Sequence, residues 1–281
     1  KIGPKHAMGL SMIPTVAQFW LLSTINVYHW PLWVIGACGG VALALYWQGY
    51  HYDFSKTTKR KDATKDVSKI YIIIAILGAL APFLGGVIIT KFGFSTLYVT
   101  AIGLLLLVFF PLLKKTEAHK KVSIDMKKIN FRFIRKDIIS YGGMGVEAAA
   151  STFIWPMFVY FATKNYQSVG FITSAALIIT ILVTYLVGIK VNNSNRHNYI
   201  VTGSFLDGLT LVLLTLVNSF SQIMSLNITR SLVGSIRQAP YVSEYYLHAD
   251  ENSRQEYILA MESSIDVTRA FLYILLIGLT Y

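Results

Sequence analysis

An all-α membrane protein, built as a bundle of long helices, is the fold class that this sequence predicts. Three observations point there. Of 281 residues, 54% are hydrophobic and only 14% are charged, against ~25% charged in a typical soluble domain. Mean hydropathy is +0.53. The apolar residues also come in repeated blocks near the ~20 residues that cross ~30 Å of hydrocarbon as a helix, and the basic residues fall between those blocks.

Taken in order, apolar runs bounded by charged, glycine or proline residues define nine spans. They are 7–27, 31–48, 69–90, 94–113, 138–162, 167–189, 199–218, 220–239 and 256–280. The first is closed by Trp30 and Pro31, and the second, PLWVIGACGGVALALYW, runs out into a lysine-rich stretch. The third and fourth are separated by Lys91 and Gly93. The fifth contains GGMGVEAAASTFIWP, the sixth ends just after Gly188, and the seventh carries Asp207. The eighth, SQIMSLNITRSLVGSIRQAP, is the most polar, and the ninth begins with EYILAMESSIDVTRAF.

Charge placement tests this division. With strict alternation, 21 of the 25 Lys and Arg residues, Arg237 and Arg254 among them, fall on one side. Lys91 and Lys164 fall on the other, and Arg230 and Arg269 stay inside spans. The positive-inside rule makes the rich side cytoplasmic. Removing the eighth span would put Arg254 outside and break the pattern. The expectation is a multi-pass protein of the cell inner (cytoplasmic) membrane, with loops 49–68, 114–137, 190–198 and 240–255 in the cytoplasm.

The basic loop 114–137 divides the chain into an N-terminal half, 1–113, and a C-terminal half, 138–281. Its last part, INFRFIRKD, reads either as a solvated linker held near anionic lipid or as a short amphipathic surface segment. The net charge of +11 belongs to membrane loops, because no aromatic-interleaved basic groove accompanies it; nucleic acid is not an expected partner. The single cysteine, Cys38, excludes a disulfide framework within these residues. The six histidines lie at span ends or in loops, with no HExxH, paired cysteines or phosphate loop. No metal, no cofactor and no enzymatic activity are expected. The chain opens at Lys1 and closes within apolar sequence, so it is expected to be a segment of a longer protein.

Three local patterns carry a family resemblance. GALAPFLGGVIITKFGF on the third span has Pro82, Gly85, Gly86, Gly93 and Phe94, with Ala81 where a glycine is usual before the proline. GIKVNNSNRHN after the sixth span has Gly188, Arg196 and His197, with Asn192 where an acid is usual. KIGPKHAM at the start has Lys1, Gly3 and Lys5. These resemble, respectively, the fifth-helix signature and the two repeated cytoplasmic loop motifs of major facilitator superfamily transporters. The resemblance implies a helical bundle of two pseudo-symmetric halves, with helices three to eleven of an expected twelve present here. It implies secondary active transport of a small-molecule substrate by alternating access, in the lipid bilayer and as a monomer, with protons as a candidate coupling ion. The alternative is a non-transporting membrane receptor or scaffold that keeps the same fold.

Site residues follow from charge inside spans, where each ionised group costs a few kcal/mol and should face protein or water. Glu147 on helix seven, with Trp155 eight residues on, and Arg230 on helix ten, with Asn227 beside it, are the candidates for substrate or proton coupling. The resemblance places both helices on the central cavity; a purely structural Glu–Arg pair is the competing account. Glu262, Asp266 and Arg269 are expected to form one charged stripe, with Glu262 toward the cytoplasmic loops and Asp266 and Arg269 neutralising each other. Asp207 is expected to pack within its own half or sit near the interface. Trp20 is a further candidate for substrate contact. Pro82, Gly85 and Gly86 read as a packing and gating motif, either bending or simply close-packing their helix. Lys1, Gly3, Lys5, Gly188, Asn192 and Arg196 form the cytoplasmic loop motif, a latch that Asn192 is expected to weaken.

Overall fold

In the computed structural model, residues 3–57, 62–114, 124–217 and 219–280 are described. Lys1 and most of the basic central loop, 115–123, lie outside them. The described chain forms helices α1 (Pro4–Ser23), α2 (Ile25–Tyr28), α3 (Leu32–Thr57), α4 (Ala63–Lys114) and α5 (Phe131–Ala149). A π-helical turn, Ala150–Ile154, leads into α6 (Trp155–Thr163), α7 (Tyr166–Lys190), α8 (Arg196–Leu214), α9 (Phe220–Glu251) and α10 (Arg254–Thr280). Each of the nine expected spans is largely covered by helix. Three stretches, Leu32–Lys56, Ala63–Leu112 and Tyr166–Lys190, are long and apolar enough on their own terms to cross a membrane.

The local chemistry of the sequence sets several boundaries. Inside α4 the residue with non-helical dihedrals is Gly93 (φ 82, ψ 172), a left-handed conformation that glycine adopts without a Cβ penalty. It divides α4 into two arms matching the third and fourth spans, while the chain stays helical through Pro82. Asn130 caps α5 by accepting a hydrogen bond from the Arg132 backbone N–H. From Phe131 on, the INFRFIRKD segment is therefore the first part of α5. Its Ile134 is buried and its Phe133 exposed.

Two expected loops prove to be mostly helical. Residues 49–57 and 63–68 continue α3 and begin α4. The stretch 240–255 is helix apart from 252–253, and Arg237 lies inside α9 rather than in a loop. The helix also runs through Pro240, where the eighth span is expected to end. One lost backbone hydrogen bond is offset there by tertiary burial of Tyr241, Val242, Tyr245, Tyr246 and Leu247.

The chain divides into two compact units that do not follow chain order. The first is 1–57, 92–154 and 249–281; the second is 58–91 and 155–248. This grouping by packing differs from the division into sequence halves, which concerns repeats.

Small residues set the packing in both units. In the first, α1 and α3 close on each other at Gly49, where a Cβ would stand 2.7 Å from the Pro4 carbonyl oxygen. Helices α5 and α10 close at Gly145, where a Cβ would overlap the Ile265 carbonyl. That seam is pinned by Ser264 Oγ donating to the Ile138 carbonyl (2.7 Å) and Thr268 Oγ1 donating to the Gly142 carbonyl (2.7 Å). The start of α10 is tied down as well: Tyr257 donates to Asp137 (2.8 Å), and Glu256 accepts from the Asp125 backbone N–H (3.0 Å).

In the second unit, α4 meets α7 through the Pro82–Gly86 segment. A Cβ on Gly170 would overlap the Pro82 carbonyl, and one on Gly86 would come within 2.8 Å of the Tyr166 carbonyl. Ser174 Oγ accepts the Phe83 backbone N–H at 3.1 Å. Close packing is thus the visible role of this glycine motif, as small residues allow in membrane helices.

At the end of α1, Trp20 packs at a tilt against Trp30, 5.7 Å between ring centres, whose indole N–H donates to Thr24 Oγ1 (3.0 Å). Trp20 is part of that half-exposed aromatic group, so it is committed to the helix end.

The α5–α10 seam has a direct test. Gly145→Val should destabilise the full chain by about 1–3 kcal/mol through overpacking, whereas Gly143→Ala, facing open space, should not. Thermal unfolding in nanodiscs would show it, and equal melting of the two variants would refute the seam.

Candidate functional site

The buried charges of the second unit sit on the α8–α9 seam. Buried residues on α8 are Arg196, Gly203, Asp207 and Thr210, whose spacings of seven, four and three keep them on one face. On α9 the residues Arg230, Gly234, Arg237, Tyr241, Glu244 and His248 repeat at four and three and share a face in the same way. Gly203 lets the two backbones approach, since a Cβ there would stand 2.7 Å from the Arg237 Cβ and 3.0 Å from its backbone nitrogen.

This closeness brings one carboxylate to two guanidiniums. Arg237 Nη2 donates to Asp207 Oδ2 at 3.2 Å, and Arg230 Nε lies 3.6 Å from Asp207 Oδ1. Asp207 is 4% exposed and Arg237 is 6% exposed. The Arg237 guanidinium also lies 5.6 Å from the centre of the Tyr241 ring, a cation–π distance. Because arginine does not lose its proton in proteins, this cluster is a fixed-charge device.

A second cluster lies two turns further along the same seam. Arg196 pairs with Glu244 (3.2 Å), donates through Nε to Thr64 Oγ1 (3.2 Å) and through Nη2 to Asn193 Oδ1 (2.7 Å). Thr64 and Ser243 share a hydrogen bond of 2.9 Å. Glu244 also faces His248 at 3.4 Å within α9. Gly188 packs against Ser68, 2.7 Å from where its Cβ would be. Three helices, α4, α8 and α9, are therefore tied by the loop-motif arginine. Asn192 supplies no charge; its side-chain oxygen accepts from Ser194 and from the Asn195 backbone N–H (3.1 Å), turning the chain into α8.

The first unit holds two further pairs. His51 Nε2 on α3 lies 3.5 Å from Glu262 Oε1 on α10, with both side chains largely buried. Asp266 and Arg269 pair at 3.4 Å, with Asp266 about half exposed. The expected single stripe is therefore two separate features: Glu262 is 8% exposed and committed to a neighbouring helix, while Asp266 and Arg269 neutralise each other.

The remaining candidates are distributed. Glu147 is half-buried in the first unit; its carbonyl accepts from Ser151 Oγ (2.8 Å) immediately before the π-helical turn. Arg230, Asn227 and Trp155 lie in the second unit. Asn227 Nδ2 donates to the Ile172 carbonyl at 3.3 Å. Trp155 packs against the buried cluster of Val159, Ile172, Val217 and Ile223. Gly3 caps α1, and Lys5 lies in its first turn.

A family model described as Major Facilitator Superfamily matches residues 1–243. The chain belongs to the major facilitator superfamily. This membership makes it an integral membrane protein of a transporter family, one that is generally non-enzymatic. No curated protein matches the chain. Among the described residues no group of three or more His, Cys, Asp or Glu could hold a metal ion.

The sequence pattern named Arg230 but did not pair it with Asp207, and it missed Arg237, Glu244 and His51. The seven-residue repeat 230, 237, 244 was the available signal, since it puts all three on one helix face. For this superfamily member, Asp207→Asn should cost about 3–5 kcal/mol, because it strands buried guanidiniums, and adding Arg237→Gln should recover part of that loss. Unfolding of the full-length protein in nanodiscs checks both variants. A wild-type curve for Asp207→Asn would mean the carboxylate is not needed.

Proposed function

We propose that the chain forms most of a secondary active transporter that moves a small solute by alternating access of the halves 1–113 and 138–281, coupled to protons through Glu147. In this reading the nine spans cross the membrane in a monomer of the cell inner membrane, with the basic segments in the cytoplasm. The observation that carries it is the pairing of ionisable groups at helix seams inside an apolar bundle. Such groups cost free energy in the membrane and mark functional paths by default.

Each group has a role. Arg230, held by Asp207, offers a fixed positive anchor for solute. Glu147 is the titratable carboxyl, and it stands next to the π-helical turn, the kind of irregular backbone that helices carry at functional sites. Arg196 with Glu244 and Thr64 is the latch of the loop motif, with Glu244 serving where Asn192 carries no charge.

A second reading, a receptor or scaffold that keeps the fold without transporting, is favoured by two contacts. Asn227 is bonded to the Ile172 carbonyl, and Trp155 is packed against an apolar cluster, so neither side chain is disengaged from the protein.

Proteoliposomes of the full-length protein with a trapped pH-sensitive dye separate the two. A panel of amino acids, sugars, organic anions and amines should include a solute that moves protons. Glu147→Gln should abolish that proton flux and keep solute exchange. A panel with neither flux nor exchange supports the scaffold, and wild-type flux in Glu147→Gln removes Glu147 from coupling.

A further inference from the structure

We propose that His51 and Glu262 form a proton-controlled latch between α3 and α10, a second proton site of this transporter that works without solute. The inference adopts the alternating-access reading above, and its tests need no solute, so the two can fail separately.

The first unit contains two helix pairs, each closed by small residues. Helices α1 and α3 meet backbone to backbone at Gly49, and α5 and α10 do so at Gly145. Hydrogen bonds from Ser264 and Thr268 to α5 carbonyls lock the second pair. Packing of this kind resists sliding, because a displaced glycine seam loses both its van der Waals fit and its hydrogen bonds. Between the two pairs, His51 and Glu262 make a 3.5 Å contact through side chains alone. A contact at that distance lacks the geometry of a strong hydrogen bond, so its strength depends on which of the two groups carries a proton.

Both partners can change charge, unlike the arginines of the other clusters. With one proton between them the buried pair is a neutral imidazole and a carboxylic acid, with no charge to bury. Uptake of one proton forms an N–H bond on His51 and leaves the buried pair at +1. Release of one proton breaks the O–H bond of Glu262 and leaves it at −1. Either change puts an uncompensated charge in a low-dielectric contact, so the latch holds in the singly protonated state and loosens on both sides of it.

The indole of Trp47 stacks on the His51 ring (5.2 Å, 21°) and Tyr50 meets it edge-on (5.3 Å). These two rings hold the imidazole toward Glu262. His248 and Glu244, by contrast, share one helix, so the contact between them joins no two helices. Other charged and titratable groups on the helices around the latch are Lys5 and His6 on α1, Asp53 on α3, Tyr141 and Glu147 on α5, Asp137, which accepts from Tyr257, and Asp266, paired with Arg269.

The contact also sits where a latch must. His51 lies six residues before the end of α3 and Glu262 eight residues after the start of α10, or about 9 and 12 Å along the helices. Both positions are toward the helix ends that adjoin the lysine-rich segment after Thr57 and the Asp250–Arg254 pair.

Two measurements on the full-length protein in nanodiscs test the proposal, with the proton as the only ligand. The first is tryptophan emission against pH, since an imidazolium quenches a stacked indole more than a neutral ring does. The proposal expects a step that is absent in Trp47→Phe and His51→Gln, and displaced by about one pH unit or more in Glu262→Gln, as loss of a titratable neighbour implies. The second is the distance between spin labels at Lys56→Cys and Asn252→Cys in a Cys38→Ser background. Its distribution should shift with pH in wild type and become pH-independent in His51→Gln and Glu262→Gln. An emission step that survives in His51→Gln, or label distances that shift with pH equally in all three proteins, overturns the latch. Folding of each variant is checked by its wild-type helical circular dichroism and elution. A failed solute screen bears on transport alone.

Discussion

Burying charge among apolar helices is the constraint on which the rest of this structure depends. Asp207 shows it most directly. Two arginines on α9, two turns apart, are placed inside the protein because one carboxylate on α8 reaches both. Neither helix could keep such residues alone, since an unpaired guanidinium in this setting costs several kcal/mol. The α8–α9 contact is therefore fixed in register by charge, and the glycine at 203 sets how near the two helices come. Arg196 repeats the arrangement with Glu244 and adds α4 to the seam.

Glycine supplies the complementary half of the design. Lipid gives helices little hydrophobic reason to associate, so association comes from close fit and from hydrogen bonds. Gly49, Gly145 and Gly170 each bring a neighbouring carbonyl to where a Cβ would stand. Serine and threonine hydroxyls then bond across two of these seams, at Ser264 and Thr268 on one side and Ser174 on the other. Gly93 acts through its backbone instead, and its positive φ divides α4 where the two compact units also divide.

The polar groups fall into two kinds, with different consequences for a membrane transporter. The clusters around Asp207 and Arg196 rest on arginine, which does not lose its proton in proteins. They set register and supply permanent electrostatic fields. Glu147 and the His51–Glu262 pair can gain or lose a proton, so they are the groups through which proton concentration can act. A bundle locked by the first kind and switched by the second is consistent with the transporter reading and with a separate role for each cluster.

Much of the fold was legible in the residues themselves. Hydropathy blocks and the one-sided lysines and arginines gave nine helical stretches. The superfamily signature at Pro82, Gly85 and Gly86 and the loop pattern around Gly188 and Arg196 gave the family. Helix limits were less legible: α9 runs on through Pro240 because its far end is buried by other helices, and no local propensity reports that burial. The site was legible only in part. Charge inside a span singled out Arg230, Glu262, Asp266 and Arg269, because the cost of ionised groups in hydrocarbon is a property of each residue. Which carboxylate meets which cation was decided by tertiary structure, because His51 and Glu262, or Asp207 and Arg237, are brought together by long-range packing. The sequence by itself determined that this is a helical membrane protein of a known superfamily, since hydrophobicity and charge are carried residue by residue. The partners of its buried charges belong to the fold, since pairing depends on distance in space and a single chain order leaves that open.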